Sequence, residues 1–273
     1  MRMRKPTLVF IDIDGTLLDS SHHIPESARK ECQRAQQAGH KLFICSGRAA
    51  LDIDPPVLEL GFDGIVSDGG ACAELNGETI IDERMPAESV RAATSFFIAH
   101  SMPYAWHCSD GMHATERFLN RLGIWRKLLR HPQMRGSWHT ITDHSAPLPP
   151  VRKGTFYVPE NGSLTVEDVR RELAGYATII HGSINASSED NGEILIPGVD
   201  KGTALMKVSQ RLGVPLSDTI AIGDSDNDLE MIQTAGIGVA MGNGTEAVKS
   251  VADMIAPHVD NNGLAAALHR LLP

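Results

Sequence analysis

Residues 7–11 (TLVFI) form an unbroken apolar run of strand length, the pattern of a strand buried on both faces of a parallel sheet. Pro25 and Glu26 then open a stretch in which Ala28, Cys32 and Ala35 share one helical face and Gly39 provides the stop. Residues 41–45 (KLFIC) read as a second strand and 64–67 (GIVS) as the start of a third. The rhythm returns near the C-terminus: 201–212 reads as a helix, 219–222 (TIAI) as a strand, 228–234 as a helix, 238–241 (GVAM) as a strand and 264–272 as a closing helix. Alternating strands and helices of this kind predict a parallel sheet with helices on both faces.

The middle of the chain breaks that rhythm. Short strand signals fall at 104–109, 155–158 and 178–184, helical ones at 87–100 and 165–176, and Pro147, Pro149 and Pro150 mark a loop. The expectation is an α/β core of residues 1–77 and 197–273 with an inserted α+β domain over 78–196. The crossings are then expected near 74–78 and 196–200, where Gly77 and Gly198 can absorb a change of backbone direction.

Composition narrows the function classes. The chain has 273 residues, 42% hydrophobic and 22% charged, enough for a sizeable core, and a formal net charge of −9 that speaks against a nucleic-acid partner. A site for a phosphorylated ligand on such a chain must be made locally positive by a metal or a few placed cations. The four cysteines form no C-x-x-C pair, and no apolar run is long enough for a signal peptide or a membrane span. The expected location is therefore cytoplasmic, with no membrane partner; no pattern bears on oligomeric state.

Candidate chemistry collects at strand ends. Asp12 and Asp14 follow the first strand in FIDIDGTLLDS, and residues two apart on an extended chain point the same way. Ligands of open α/β sheets bind off the carboxyl ends of strands, although Asp-x-Asp-Gly also suits an ordinary turn. Asp224, Asp226 and Asp228 follow a later strand in AIGDSDNDLEM, where the acids repel unless solvated or neutralised by a cation. An EF-hand fails, because Leu229 stands where its loop needs Gly and Ala235 where it needs Glu. That leaves a polar helix N-terminus or a magnesium site shared with another acidic loop. Ser46-Gly47-Arg48 offers a hydroxyl and backbone amides to a phosphate, or simply a capped turn, and Lys201 opens a helix where a lysine is usually surface. Together these supply what phosphoryl transfer through an aspartyl phosphate needs.

In these motifs the chain resembles the haloacid dehalogenase superfamily, specifically Cof-type phosphatases with a type IIB cap. Asp12-Ile-Asp14-Gly15-Thr16-Leu17 resembles the first family motif, Ser46-Gly47-Arg48 the second, Lys201-Gly202 the third and Gly223-Asp224-Ser225-Asp226-Asn227-Asp228 the fourth, over about residues 7–75 and 195–273. The resemblance implies a Rossmann-like parallel-sheet core with an inserted cap that sets specificity, and a magnesium-dependent hydrolase of small phosphorylated metabolites, sugar phosphates or similar. It implies Asp12 as nucleophile and Asp14 as acid and base. Magnesium would be held by Asp12, the backbone carbonyl of Asp14 and Asp224, with Asp228 supporting. The phosphoryl oxygens would be held by the amide of Ile13, Ser46, Gly47, Lys201 and Asn227. One departure stands out: Asp68-Gly69-Gly70-Ala71 replaces the family's frequent Asn-Gly-Ala.

A phosphomutase or phosphotransferase of sugar phosphates would share this core but needs a second phosphate site. Arg117, Arg121 and Arg126 are the nearest cluster for one, and otherwise read as a solvated helix face. A non-catalytic phosphometabolite sensor could dispense with the nucleophile. The inserted segment carries His100, His107, His113, His131, His139, His144 and His181 without H-E-x-x-H spacing, so scattered surface or core histidines are the plain reading and a substrate pocket the sharper one. Gly242-Asn243-Gly244 reads as a turn, and Trp106, Trp125 and Trp138 as packing.

Overall fold

The computed structural model describes residues 7–123, 137–159, 162–182 and 190–272. The chain divides into two compact units, one of residues 1–82 and 200–273 and one of residues 83–199.

The first unit is built on an eight-stranded sheet. Its strands in chain order are β1 (Leu8–Ile11), β2 (Lys41–Cys45), β3 (Gly64–Ser67), β4 (Cys72–Leu75) and β5 (Glu78–Asp82). After the insertion come β12 (Thr219–Gly223), β13 (Ile237–Ala240) and β14 (Met254–Ile255). The spatial order is β14-β13-β12-β1-β2-β3-β4-β5, parallel from β14 to β3 and antiparallel thereafter. β1 sits in the middle, between β2 and β12, so the residue after it emerges at the centre of the sheet's carboxyl edge.

Alternation along β1 feeds two cores. Val9 and Ile11 join Leu42, Ile44 and the buried faces of α1 (Glu26–Gln37) and α9 (Gly263–Leu271). Leu8 and Phe10 join Phe43, Ala204, Leu205 and Val208 beneath α6 (Lys201–Leu212). The helical face expected from Ala28, Cys32 and Ala35 is the one α1 buries.

The strands read from sequence at 41–45 and 64–67 and the helix at 201–212 fall on those same residues. The β4–β5 hairpin was not read. The eight-stranded sheet takes in Glu78–Asp82, which the sequence analysis assigned to the insertion. Residues 74–78 are therefore a hairpin turn through Asn76 (φ 51°) and Gly77 (φ 81°), not a crossing. The chain leaves this unit at 82/83 and returns at 199/200.

The second unit carries a six-stranded sheet in the order β10-β11-β9-β6-β7-β8. The strands are β6 (Tyr104–Cys108), β7 (Gly111–Ala114), β8 (Trp138–Thr140), β9 (Val151–Tyr157), β10 (Thr178–His181) and β11 (Asn191–Leu195). Tyr104, Trp106, Phe156 and Ile194 pack with Phe97 of α3 (Ala87–Ala99) and Val169 of α5 (Val166–Glu172). Ala105, Met112, Ala114 and Tyr157 pack with Phe118 and Leu119 of α4 (Glu116–Leu122). Inside the sheet Lys153 and Glu193 form a buried ion pair at 2.6 Å, and the His107 ring meets Thr155 at 3.1 Å. The strands β7, β8 and β11 carry no clear signal in the sequence, because GMHA, WHT and NGEIL lack the continuous apolar run that marks a buried strand. Among the described residues no helix is long and apolar enough to cross a membrane.

Gly202 sets the packing that positions α6. A Cβ there would lie 2.5 Å from the Glu230 carbonyl oxygen, just ahead of Met231 and Ile232 on α7 (Leu229–Thr234). Gly202→Ala gains roughly 0.5–1 kcal/mol of intrinsic helix propensity. It forces apart two backbones at a cost of about 1–3 kcal/mol. The net expected in urea unfolding is destabilisation, and a more stable variant would refute the close approach.

Candidate active site

Asp12 is the first residue beyond β1, and its amide still donates to the Ile222 carbonyl at 3.0 Å. The chain then bends at once: the amides of Leu17 and Leu18 return to the Ile13 carbonyl at 3.0 and 2.8 Å. Gly15 makes the bend possible, with φ 81° and a Cβ position only 2.4 Å from Asp224 Oδ2. The bend separates two acids that an extended chain would aim together. Asp12 is buried at 5% exposure. The Asp14 side chain is 47% exposed and accepts from Arg48 Nε and Nη2 at 2.8 and 2.6 Å. Arg48 also donates to Asp54 at 2.9 Å, which fixes the guanidinium.

The loop after β12 supplies the next acids. Asp228 is fully buried. Its Oδ2 accepts from the amides of Asp224 and Ser225, each at 3.0 Å, so this carboxylate holds its own loop in shape. Gly223 leaves room for it, since a Cβ there would lie 2.5 Å from Asp228 Cγ. Asp224 accepts from Thr16 Oγ1 at 3.1 Å. Asp226 turns away and accepts from Thr245 at 2.7 Å. Asn243, read from sequence as part of a plain turn, donates to the Gly15 carbonyl at 2.8 Å while accepting from the Val259 amide at 2.9 Å. It ties the loop after β13 to the Asp12 loop, and no spacing in the sequence signals that role.

Lys201 arrives from the N-terminus of α6, where Asp200 and Thr203 form a capping box. Gly70 lets this helix start approach closely: its φ is 104°, and a Cβ would lie 2.2 Å from the Asp200 carbonyl oxygen. The Asp68-Gly69-Gly70 departure thus leaves a glycine where the helix start needs one. Asp68 itself is buried at φ 53° and accepts from Ser67 Oγ at 3.3 Å. Lys201 is 1% exposed, not surface, and its ammonium donates to Asp12 Oδ1 at 2.7 Å, Asp228 Oδ1 at 2.6 Å and Asn227 Oδ1 at 3.0 Å.

Ser46 is buried at the end of β2, and its Oγ accepts from the Arg48 amide at 3.2 Å. The structure thus brings Asp12, Lys201, Asn227 and Asp228 into one bonded group with Asp224 beside it. It places Ser46, Gly47 and Arg48 at the neighbouring strand end and engages the Asp14 carboxylate with Arg48.

Burial is the largest influence pushing the Asp12 carboxyl well above its ordinary range; Lys201 opposes it, and Asp228, Asp224 and Asp14 add to it. Asp224 is pushed up to about 7, by burial first and then by Asp228. Burial alone would lower Lys201, but Asp12 and Asp228 outweigh it and hold the ammonium above its usual value. One carboxylate oxygen from each of Asp12, Asp224 and Asp228 lies within 4.8 Å of the others. Hard oxygen donors gathered at such mutual cost suit a divalent cation.

In the second unit the histidines scatter. His144 meets the Tyr104 hydroxyl at 2.6 Å and His181 lies 3.6 Å from Glu167. His131, Trp125 and Arg126 lie outside the described residues. Arg117 donates to the Ser101 carbonyl at 2.8 Å, whereas Arg121 pairs with Asp190 and lies 4.4 Å over the Tyr157 ring, so these two arginines are committed within their own unit.

A mainly parallel sheet with an inserted mixed-sheet unit and an acidic cluster at the strand ends defines a class of phosphoryl-transfer hydrolases, and comparison with known proteins agrees. Residues 9–268 match the haloacid dehalogenase-like hydrolase family, and the chain belongs to it. YkrA of Bacillus subtilis is 31% identical over 266 residues, 97% of each chain. The 5-amino-6-(5-phospho-D-ribitylamino)uracil phosphatase YcsE of Bacillus subtilis is 28% identical over 277 residues, 96% of this chain and 94% of that one. The subclass IIB sugar phosphatase BT4131 shares the fold, with TM-score 0.79 and 23% identity over 97% of this chain and 98% of that one. The chain is a Cof-type phosphatase, a phosphoric monoester hydrolase that acts on small phosphorylated molecules.

Lys201→Met removes the ammonium and leaves Asp12 and Asp228 buried without it, an expected loss of about 3–5 kcal/mol in urea unfolding at pH 8. A lysine held above its ordinary value contributes fully at every pH below that value, so the wild type keeps this stability throughout the neutral range. The variant's deficit shrinks towards pH 5 as Asp12 and Asp224 take up protons. A variant as stable as wild type at pH 8 would remove Lys201 from the centre of the site.

Proposed function

We propose that the chain hydrolyses phosphomonoesters of small polyol- or sugar-like metabolites in a magnesium-dependent reaction through an aspartyl phosphate on Asp12. The observation that carries this reading is the buried Asp12 carboxylate, held by a buried lysine at the centre of the sheet's carboxyl edge. An Asp12 oxygen attacks phosphorus and the bond to the leaving oxygen breaks, with Asp14 supplying that oxygen's proton. Water then attacks phosphorus, gives its proton to Asp14, and frees phosphate and Asp12. Donating a proton from Asp14 requires that one of its two Arg48 contacts be given up, so the Arg48–Asp14 pair opens during turnover.

Lys201, Asn227, Ser46, Gly47 and the Ile13 amide hold the phosphoryl oxygens in this reading. Asp12 and Asp224, with the Asp14 carbonyl, would hold magnesium, and Asp228 keeps the Asp224 loop in shape. When bound, the ion supplies positive charge against the phosphoryl group. Every residue of this group acts on the phosphoryl half that all substrates share; choice among metabolites then falls to groups outside it, and the inserted 83–199 unit is our assignment for them. The polyol reading is supported by YcsE, whose named substrate is a phosphorylated ribityl compound.

Turnover of a panel of phosphorylated metabolites tests the substrate class, and preference for nucleotides over sugar and polyol phosphates would overturn it. With the preferred substrate, chelator should abolish turnover and magnesium restore it. Asp12→Asn should be inactive and form no phosphoenzyme. Asp14→Asn should lose about 10²–10⁴-fold in kcat. Normal turnover by Asp12→Asn would sink the mechanism.

Below about pH 7 a proton on Asp224 competes with the ion, and the Asp12 carboxyl, held well above its ordinary range by burial, adds to that competition. Magnesium affinity measured by calorimetry should therefore fall from pH 8 to pH 6, with protons released on binding. Affinity that does not change with pH would contradict the assignment of Asp224.

A further inference from the structure

The second unit holds a group of side chains that phosphoryl chemistry does not use. Cys108 ends β6, Gly111 begins β7, and Asp110 lies in the tight turn between them. One ligand atom from each of Cys108, Asp110 and His113 lies within 4.8 Å of the other two. The neighbouring strand β8 adds His139, paired in register with His113, and the two rings stack at 4.5 Å. The strands come this close because position 111 is glycine: its φ is 138°, and a Cβ would lie 2.3 Å from the Ser137 carbonyl oxygen.

The two imidazoles flank one carboxylate. His113 Nε2 is 2.9 Å from Asp110 Oδ1, and His139 Nε2 is 4.0 Å from Asp110 Oδ2. A polar hairpin turn accounts for the first contact. It does not account for His139 Nε2, which is buried and has no hydrogen-bond partner among the described residues. The Cys108 sulfur belongs to a residue 5% exposed at the edge of the apolar cluster of Trp106 and Val151, and it lies within 4.8 Å of both other ligand atoms.

We propose that Cys108, Asp110, His113 and His139 form a binding site for a zinc-class divalent ion, distinct from the acidic cluster of the first unit. Thiolate and imidazole donors select a borderline-soft ion over magnesium, whose partners are oxygens. Tetrahedral bonds of about 2.0–2.3 Å place ligand atoms roughly 3.3–3.7 Å apart, so side-chain rotation closes the Cys108, Asp110 and His113 atoms around an ion, while His139 Nε2, 4.0 Å from Asp110 Oδ2 but outside that 4.8 Å group, swings further to become the fourth ligand. Binding takes the Cys108 thiol to thiolate and releases its proton to solvent. Once His139 is drawn in, four protein ligands close the site, which makes it structural. It clips β8, a three-residue strand at the edge of the sheet, to the β6–β7 hairpin.

Cobalt titration of the full chain, reduced and saturated with magnesium, reads this site by the thiolate-to-cobalt absorption that oxygen ligands cannot produce. One equivalent should bind with that band, zinc should displace it, and zinc should raise the melting temperature. Cys108→Ser should lose the band, and His139→Ala, on a half-exposed edge strand, should bind more than about tenfold more weakly. Asp224→Asn, in the acidic cluster, should keep the band. The proposal is overturned by absence of the band in wild type, by its survival in Cys108→Ser, by unchanged affinity in His139→Ala, or by its loss in Asp224→Asn.

Discussion

One buried ammonium organises the first unit. Taking a lysine head group out of water costs several kcal/mol, a cost offset only by close, well-aligned opposite charge. Lys201 meets two carboxylates and an amide oxygen, within 3.0 Å in each case. The partners come from the end of β1 and from the loop after β12, and Asp12 is 189 residues away in sequence. Satisfying that charge requires the start of α6 to press against both loops. Gly70 and Gly202 are the points at which backbones make way for it.

The same cluster is unbalanced, and that imbalance gives it a chemistry. Three carboxylates around one ammonium leave two negative charges in excess, the charge a divalent cation brings. Burial raises the cost of that excess, hence the upward displacement of Asp12 and Asp224. Asp228 meets Lys201 through one oxygen and the backbone amides of its own loop through the other. Asp14, with both oxygens on Arg48, stands apart from the buried group and is half-exposed.

Most core elements were legible because their apolar positions follow the period of a strand or a helix and stop at turn or cap residues. KLFIC and GIVS read as strands for that reason, and 201–212 as a helix on its single apolar face. The inserted unit was legible only as a change of rhythm. Its strands β7, β8 and β11 are interrupted by polar residues and become strands through their partners: β7 through its hairpin with β6, and β11 also through β9, distant in sequence, as Glu193 does opposite Thr155. The hairpin at 72–82 was mistaken for the exit from the core because Asn76 and Gly77 look the same in a turn and in a linker.

Residue type and local order, which the sequence carries whole, determined the family, the four loops at the strand ends and the set of side chains they bring. What each side chain does there was decided by the tertiary structure, because it depends on neighbours that no spacing encodes. Lys201 has the local pattern of a surface lysine, only its resemblance to the third family motif places it at a phosphoryl group, and the structure buries it among carboxylates. Asn243 had the pattern of a turn and braces the Asp12 loop. Asp12 and Asp14 had the pattern of a converging pair, and a one-glycine bend sends one to a lysine and the other to an arginine. Burial and charge act through space, and chain order constrains them only after the backbone has closed.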